Sequence, residues 1–309
     1  MPFRLQGRVL PTSTAGDVGI ETPSGRIRYS LGPRGGANRP NVSVLTMLVL
    51  KLLLVPAFLL SVSLVERRFG PAIGGWIAGM PMVTGPILFV LALERGPEFT
   101  AAAAAASTSA VCAAILFGTA YAWSSRRLNW PYALTIGLSV WTLVVWLLSL
   151  LPSPQLGWGA AVLTLGVGPR LFPDSRPPLG IRPLGIGNLV ARMVGGAMLT
   201  LLVAWGAGHL GSGWTGLIAV FPLISTVLAV STHMRDGPEY SGLLLRGMAT
   251  GMYALASFCL ALTALLDRVP IAVAFGAAIA AGIGTQLLTR RLLLMPKARN
   301  SNPQRRGAD

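Results

Sequence analysis

Hydrophobic positions in this chain come in long blocks, not in alternation. Eight blocks stand out: residues 43–65, 71–93, 98–123, 131–151, 187–207, 212–233, 239–266 and 270–290. Each is close to the ~20 apolar residues that cross a bilayer as a helix. Lipid offers no water to backbone amides and carbonyls, so each block must satisfy itself as a helix. A transmembrane barrel would alternate apolar and polar positions, and these blocks do not. Charges collect in short loops between them: Glu66-Arg67-Arg68, Glu94-Arg95, Arg126-Arg127, Arg235-Asp236 and Asp267-Arg268. The pattern predicts an all-α integral membrane protein of about eight transmembrane helices.

Two stretches do not fit the blocks. Residues 1–42 are polar, Arg-rich and full of Gly and Pro, with no helical or strand period. Either they are a disordered cytoplasmic arm, or the start codon is misassigned and the chain opens near Met47. Residues 156–168 are apolar but short and Gly-rich. They could form a ninth span, a re-entrant piece or an interfacial helix.

Charge bears on that choice. The chain has 25 Lys and Arg against 10 Asp and Glu, a net charge of +15. In a soluble protein this would suggest nucleic acid. Here 53% of residues are hydrophobic and only 11% charged, and most basic residues sit outside the blocks. This points to a bilayer and away from nucleic acid and from a soluble enzyme. With eight spans both termini share one side. That side would collect the arm, the linker arginines Arg170, Arg176 and Arg182, and the basic tail 295–309 with Arg290 and Arg291. The positive-inside rule then places both termini in the cytoplasm of a bacterial inner membrane.

The chain also repeats itself at an offset of 141 residues. Pro81 pairs with Pro222, Lys51 with Arg192, Gly75 with Gly216, and Gly96-Pro97-Glu98 with Gly237-Pro238-Glu239. Two homologous four-helix repeats follow, 43–151 and 187–294, joined by a linker over 152–186. Four helices are an even number, so both repeats should face the same way. If 156–168 crosses, the second repeat is inverted, the commoner signature of alternating-access carriers.

Candidate chemistry is sparse. Glu98 and Glu239 follow a Gly-Pro turn, in the first turn of a helix, where the dipole favours a carboxylate. Lys51 and Arg192 each lie one to two turns into the first helix of a repeat, within snorkelling reach of the headgroups. Ion pairs Lys51–Glu98 and Arg192–Glu239 are expected, as cytoplasmic staples or as gates. Arg246 has Ala105 at its repeat position and is an unshared embedded cation. It could take an anionic headgroup or substrate, or snorkel. Pro81 and Pro222 break the second helix of each repeat, and Thr84, Ser225 and Thr226 place hydroxyls beside the breaks. Such breaks in corresponding positions point to a carrier's binding site, although kinks also serve packing.

The repeated unit has an embedded cation, a Gly turn, a Pro-broken helix, an acidic Gly-Pro turn and a small-residue helix. In the second half it stands as ARMVGGAMLTLLVAWGAG…GLIAVFPLISTVLAVSTHMRDGPEYSGLLLRGMATGMY. It resembles the GlpM-like family of small bacterial inner-membrane proteins, so the chain would be a tandem fusion. The resemblance implies a multi-pass membrane protein with a link to exopolysaccharide production. By architecture alone the unit is also similar to drug/metabolite transporters.

Absences narrow the function. There is no P-loop and no nucleotide-binding Gly motif. Two cysteines and two histidines make no metal motif. No cofactor is expected, and no clustered acid–base set supports an enzyme. The expected function is a carrier or channel for a small solute. The alternative is a non-transporting scaffold in envelope or exopolysaccharide assembly. The expected partners are the bilayer, a small solute, and a second copy or an envelope-assembly protein.

Overall fold

The structure is a computed structural model. It describes residues 17–22, 25–30, 42–151, 154–174, 185–209 and 221–294. Much of the arm, the basic tail and residues 210–220 lie outside the described residues. Two units are distinguished, residues 1–46 and 47–309. In the first, β1 (Asp17–Thr22) and β2 (Gly25–Ser30) form an antiparallel ribbon. Val18 lies opposite Tyr29 and Ile20 opposite Ile27. The arm was expected to show no strand period; these four apolar residues do alternate, and their pairing is what the ribbon uses.

The second unit is helical. Its elements are α1 (Val42–Phe69), α2 (Pro71–Ala78), α3 (Thr84–Arg95), α4 (Pro97–Ser124) and α5 (Trp130–Ser149). They continue as α6 (Pro154–Leu171), α7 (Ile186–His209), α8 (Leu223–Asp236), α9 (Pro238–Leu265) and α10 (Ile271–Leu294). Six of these, α1, α4, α5, α7, α9 and α10, are long and apolar enough to cross a membrane. The expected spans 71–93 and 212–233 are not continuous helices. Residues 79–83 part α2 from α3 around Pro81, and α8 begins directly after Pro222. Proline removes an amide and clashes with the preceding turn, which separates the half-helices.

Boundaries recur at the 141-residue offset. α4 and α9 start at Pro97 and Pro238, α5 and α10 at Trp130 and Ile271, and α3 and α8 end at Arg95 and Asp236. Before α4 and α9 stand Gly96 at φ 89° and Gly237 at φ 93°. Side chains rarely adopt that backbone conformation, so only glycine turns the chain this sharply there.

Helix directions follow from the contacts. On α4, Ala101 accepts a bond from Thr263 of α9, while Gly118 lies against Leu245. One helix rises as the other falls, so α4 and α9 are antiparallel. On α1, Val55 and Leu59 meet Gly196 of α7, while Ser63 and Glu66 meet Arg192. These two are antiparallel as well. Equivalent helices thus run in opposite directions, the reverse of two repeats facing the same way.

Residues 156–168 fall inside α6. Trp158 Nε1 donates to the Ala105 carbonyl at 3.2 Å, and Gly168 packs on Ile115. Trp123 Nε1 donates to the Leu171 carbonyl at 2.7 Å. α6 therefore runs parallel to α4 for its whole 18 residues, a rise of about 27 Å.

The tightest joint is between α2 and α9. Gly75 and Gly79 of α2 face Gly247 and Gly251 of α9, and each lies against the other helix's backbone. Both pairs have GxxxG spacing, which lets helix backbones approach where lipid supplies no hydrophobic drive.

Candidate functional site

The sequence-derived candidates separate into three places. The first is a buried ion pair at the end of α1. Arg192 and Glu66 are only 2% and 4% exposed. Arg192 Nη1 donates to Glu66 Oε2 at 2.5 Å and to Ser63 Oγ at 3.0 Å. Nη2 donates to Thr232 Oγ1 of α8 at 2.8 Å. Burying a guanidinium in a bilayer is costly, and this one is paired and hydrogen-bonded on three helices.

The expected pair Arg192–Glu239 is therefore not formed. Antiparallel packing brings the last turn of α1 beside the first turns of α7, and Glu66 is the carboxylate it delivers. Glu239 and Glu98 sit exposed in the first turns of α9 and α4. Lys51 is half-buried on α1, and no ion pair joins it to Glu98. Glu66 had the look of a loop charge, because the apolar block stops at residue 65. Its place one turn after the buried Val62 and Ser63, on the same helical face, was the available signal.

The second place is Arg246. Its Nη1 lies 3.8 Å from Asp174 Oδ1, a fully exposed carboxylate just after α6. Arg246 is not an isolated cation, but neither is it held firmly.

The third place surrounds the start of α8. A narrow cleft there is lined by Ile115 and Gly118 of α4, Phe172 after α6, Ser225 of α8, and Met248 and Met252 of α9. It is apolar apart from Ser225 and, as closed here, too tight to hold a water. Pro222 is buried directly before α8. Ser225 and Thr226 are 5% and 7% exposed, and Thr226 Oγ1 has no hydrogen-bond partner. Trp141 of α5 stacks edge-on against Phe221 at 5.5 Å, and its buried Nε1 is also unpartnered. In the first repeat, Pro81 and Thr84 are half-buried beside the start of α3. Trp141 and Phe172 were not anticipated, since nothing in an apolar block distinguishes a lining residue from a packing one.

A further polar contact lies near the ion pair. Tyr121 Oη of α4 is 3.0 Å from His233 Nδ1 of α8, and Ser241 Oγ of α9 donates to the Ala229 carbonyl at 3.1 Å. Among the described residues no group of His, Cys, Asp and Glu could hold a metal ion. Protein-family models, curated proteins and solved structures yield no match to this chain, so its chemistry is argued from its own residues.

Proposed function

We propose that this protein is an alternating-access carrier for a small solute in the cytoplasmic membrane. It is built from two homologous four-helix repeats of opposite orientation, with α6 crossing between them. One observation carries the reading: helices 141 residues apart run antiparallel, and proline breaks occupy corresponding positions. Inverted repeats with broken helices near mid-bilayer are the recurrent plan of secondary carriers. Each repeat would correspond to one GlpM-like unit.

Nine crossings put the two termini on opposite sides, in place of two cytoplasmic termini. Of the 25 basic residues, nine then fall on the N-terminal side: six in the arm, with Lys51, Arg95 and Arg268. The other 16 fall on the C-terminal side, which the positive-inside rule makes cytoplasmic. The Arg192–Glu66 pair lies towards that side and would close it.

A non-transporting scaffold is the second reading, favoured by the closed cleft and the fully paired Arg192. Cysteine labelling separates the two. In a chain with Cys112 and Cys259 replaced by serine, Ser225→Cys is treated with a membrane-impermeant thiol reagent from each face of oriented vesicles. A carrier exposes the cleft to each side in turn, so labelling is expected from both. Protection from both faces would sink the carrier and leave the scaffold.

A further inference from the structure

We infer that the start of α8 is a binding site for the carboxylate of a small anion with an apolar body. The inference rests on the carrier reading and names the substrate class of its cleft.

The argument starts from unpaired donors. A helix leaves its first amides without intrahelical partners and concentrates about half a positive charge there. In α8 the Leu223 amide donates to the Phe221 carbonyl and the Thr226 amide to the Pro222 carbonyl. The Ile224 and Ser225 amides have no backbone partner among the described residues. No side chain caps this end. A free helix end alone proves little, but two side chains point the same way. Thr226 Oγ1 and Trp141 Nε1 are each more than nine-tenths buried and unsatisfied. Trp141 is held at this end by its ring contact with Phe221. Leaving buried polar groups unpaired is costly, about 1–3 kcal/mol for each. A sequence with no use for them would carry Phe and Val at these positions.

The sign of the ligand follows from the donor set. Amides and an indole N–H can only donate, and the threonine hydroxyl can donate. No carboxylate lines the cleft. The nearest carboxylate of α8, Asp236, stands at its opposite end. A cation would find no counter-charge here, while a carboxylate would find donors and the positive end of a dipole. The rest of the cleft is Ile115, Leu245, Met248 and Met252. Methionine is unbranched and adaptable, suited to an apolar body of variable shape. Phe172 closes the cleft in this conformation, so binding requires that it yield.

The test uses the whole protein in lipid nanodiscs at pH 7.5. Thermal unfolding is followed against C4 to C6 monocarboxylates (butyrate, isovalerate, hexanoate) and against their uncharged amides. Specific binding raises the unfolding temperature with concentration. Carboxylates should do so and amides should not. Thr226→Val and Trp141→Phe keep the shape and remove a donor each. Together they should weaken the apparent affinity at least tenfold, with the unliganded unfolding temperature unchanged. Equal shifts by amides, no shift by any carboxylate, or undiminished affinity in the double variant would each overturn the site. The ligand comparison needs only the unaltered chain, so a variant that fails to fold does not remove the test. Failure of the carrier reading is separately visible. Labelling of Ser225→Cys from both faces without a carboxylate response leaves a carrier with another substrate. A carboxylate response with one face protected leaves the site and sinks the carrier.

Discussion

Where α1 ends beside the start of α7, one guanidinium gathers Glu66, Ser63 and Thr232 around itself. Moving 141 residues along the chain from each of these gives Lys51, Ala207, Ala204 and Leu91. Tyr121 and His233 likewise exchange for Leu262 and Ala92. Backbone turns and helix starts correspond at this offset, yet polar side chains are concentrated at one end only. Symmetry of backbone therefore does not carry symmetry of strength. The end with the ion pair is tied across three helices by charge-assisted bonds. The end with Lys51 is held by apolar packing alone, which gives way more readily to motion. In a carrier of inverted repeats this difference would decide which side is shut at rest.

The largest effect should come from breaking this contrast. Arg192→Leu leaves Glu66 buried without a partner, at a cost of about 3–5 kcal/mol by the behaviour of buried pairs. Lys51→Leu at the equivalent position should leave unfolding in nanodiscs unchanged or raise its temperature. The double variant Glu66→Gln with Arg192→Gln should recover part of the loss, since neither side then holds an isolated charge. If Lys51→Leu destabilises as much as Arg192→Leu, the two ends are alike and the contrast is wrong.

A second contrast concerns glycine. Gly247 and Gly251 of α9 lie against the backbone carbonyls of Ala72 and Trp76 in α2, where a methyl group has no room. Their equivalents on α4 are Ala106 and Ala110. The α2–α9 joint is therefore the closer of the two kinds of helix contact. Gly251→Ala should cost about 1–3 kcal/mol, as overpacking against a backbone cannot be relieved by a rotamer change. Ala110→Gly should cost less than about 1 kcal/mol, the propensity term alone. Thermal unfolding of the two variants in the same lipid checks this. Equal losses would mean that the joint is looser than its geometry.

Much of this plan was legible beforehand. Continuous apolar blocks give helices because lipid leaves no alternative, and Gly-Pro pairs mark where α4 and α9 start. Pro81 and Pro222 were readable as breaks for the same local reason. Direction was not readable, because it turned on residues 156–168. Their glycines and short length hid a helix that α4 supports along its whole side. Charge counting then inherited that uncertainty: an odd number of crossings moves the basic tail to the other face. Side-chain partners failed for a related reason. Arg192 meets Glu66 only because α1 and α7 are antiparallel, so a pairing assigned by repeat position could not find it.

A smaller test lies in the Tyr121–His233 contact, which has no counterpart at Leu262 and Ala92. Tyr121→Phe removes one hydrogen bond between α4 and α8 and should cost about 1 kcal/mol. Leu262→Ala, at the equivalent position, removes buried apolar volume instead and should cost about 2–5 kcal/mol. If Tyr121→Phe costs nothing, the polar end owes its closure to Arg192 alone.

Arg246 provides the smallest expected effect on stability and the cleanest separation from Arg192. Both are arginines near the same face, but Arg246 pairs with an exposed carboxylate in water-accessible surroundings. Screening and side-chain entropy cancel most of such a pair's attraction. Arg246→Ala should therefore leave the unfolding temperature unchanged within error. Asp174 follows Phe172, the residue that closes the cleft, so Arg246 stands where an incoming anion would pass. Its loss should weaken carboxylate binding at low salt and matter little at high salt, because surface attraction is screened beyond about 10 Å at 0.1 M. A fall in unfolding temperature like that of Arg192→Leu would make Arg246 a structural cation. A loss of binding that persists at high salt would place its guanidinium in direct contact with the ligand.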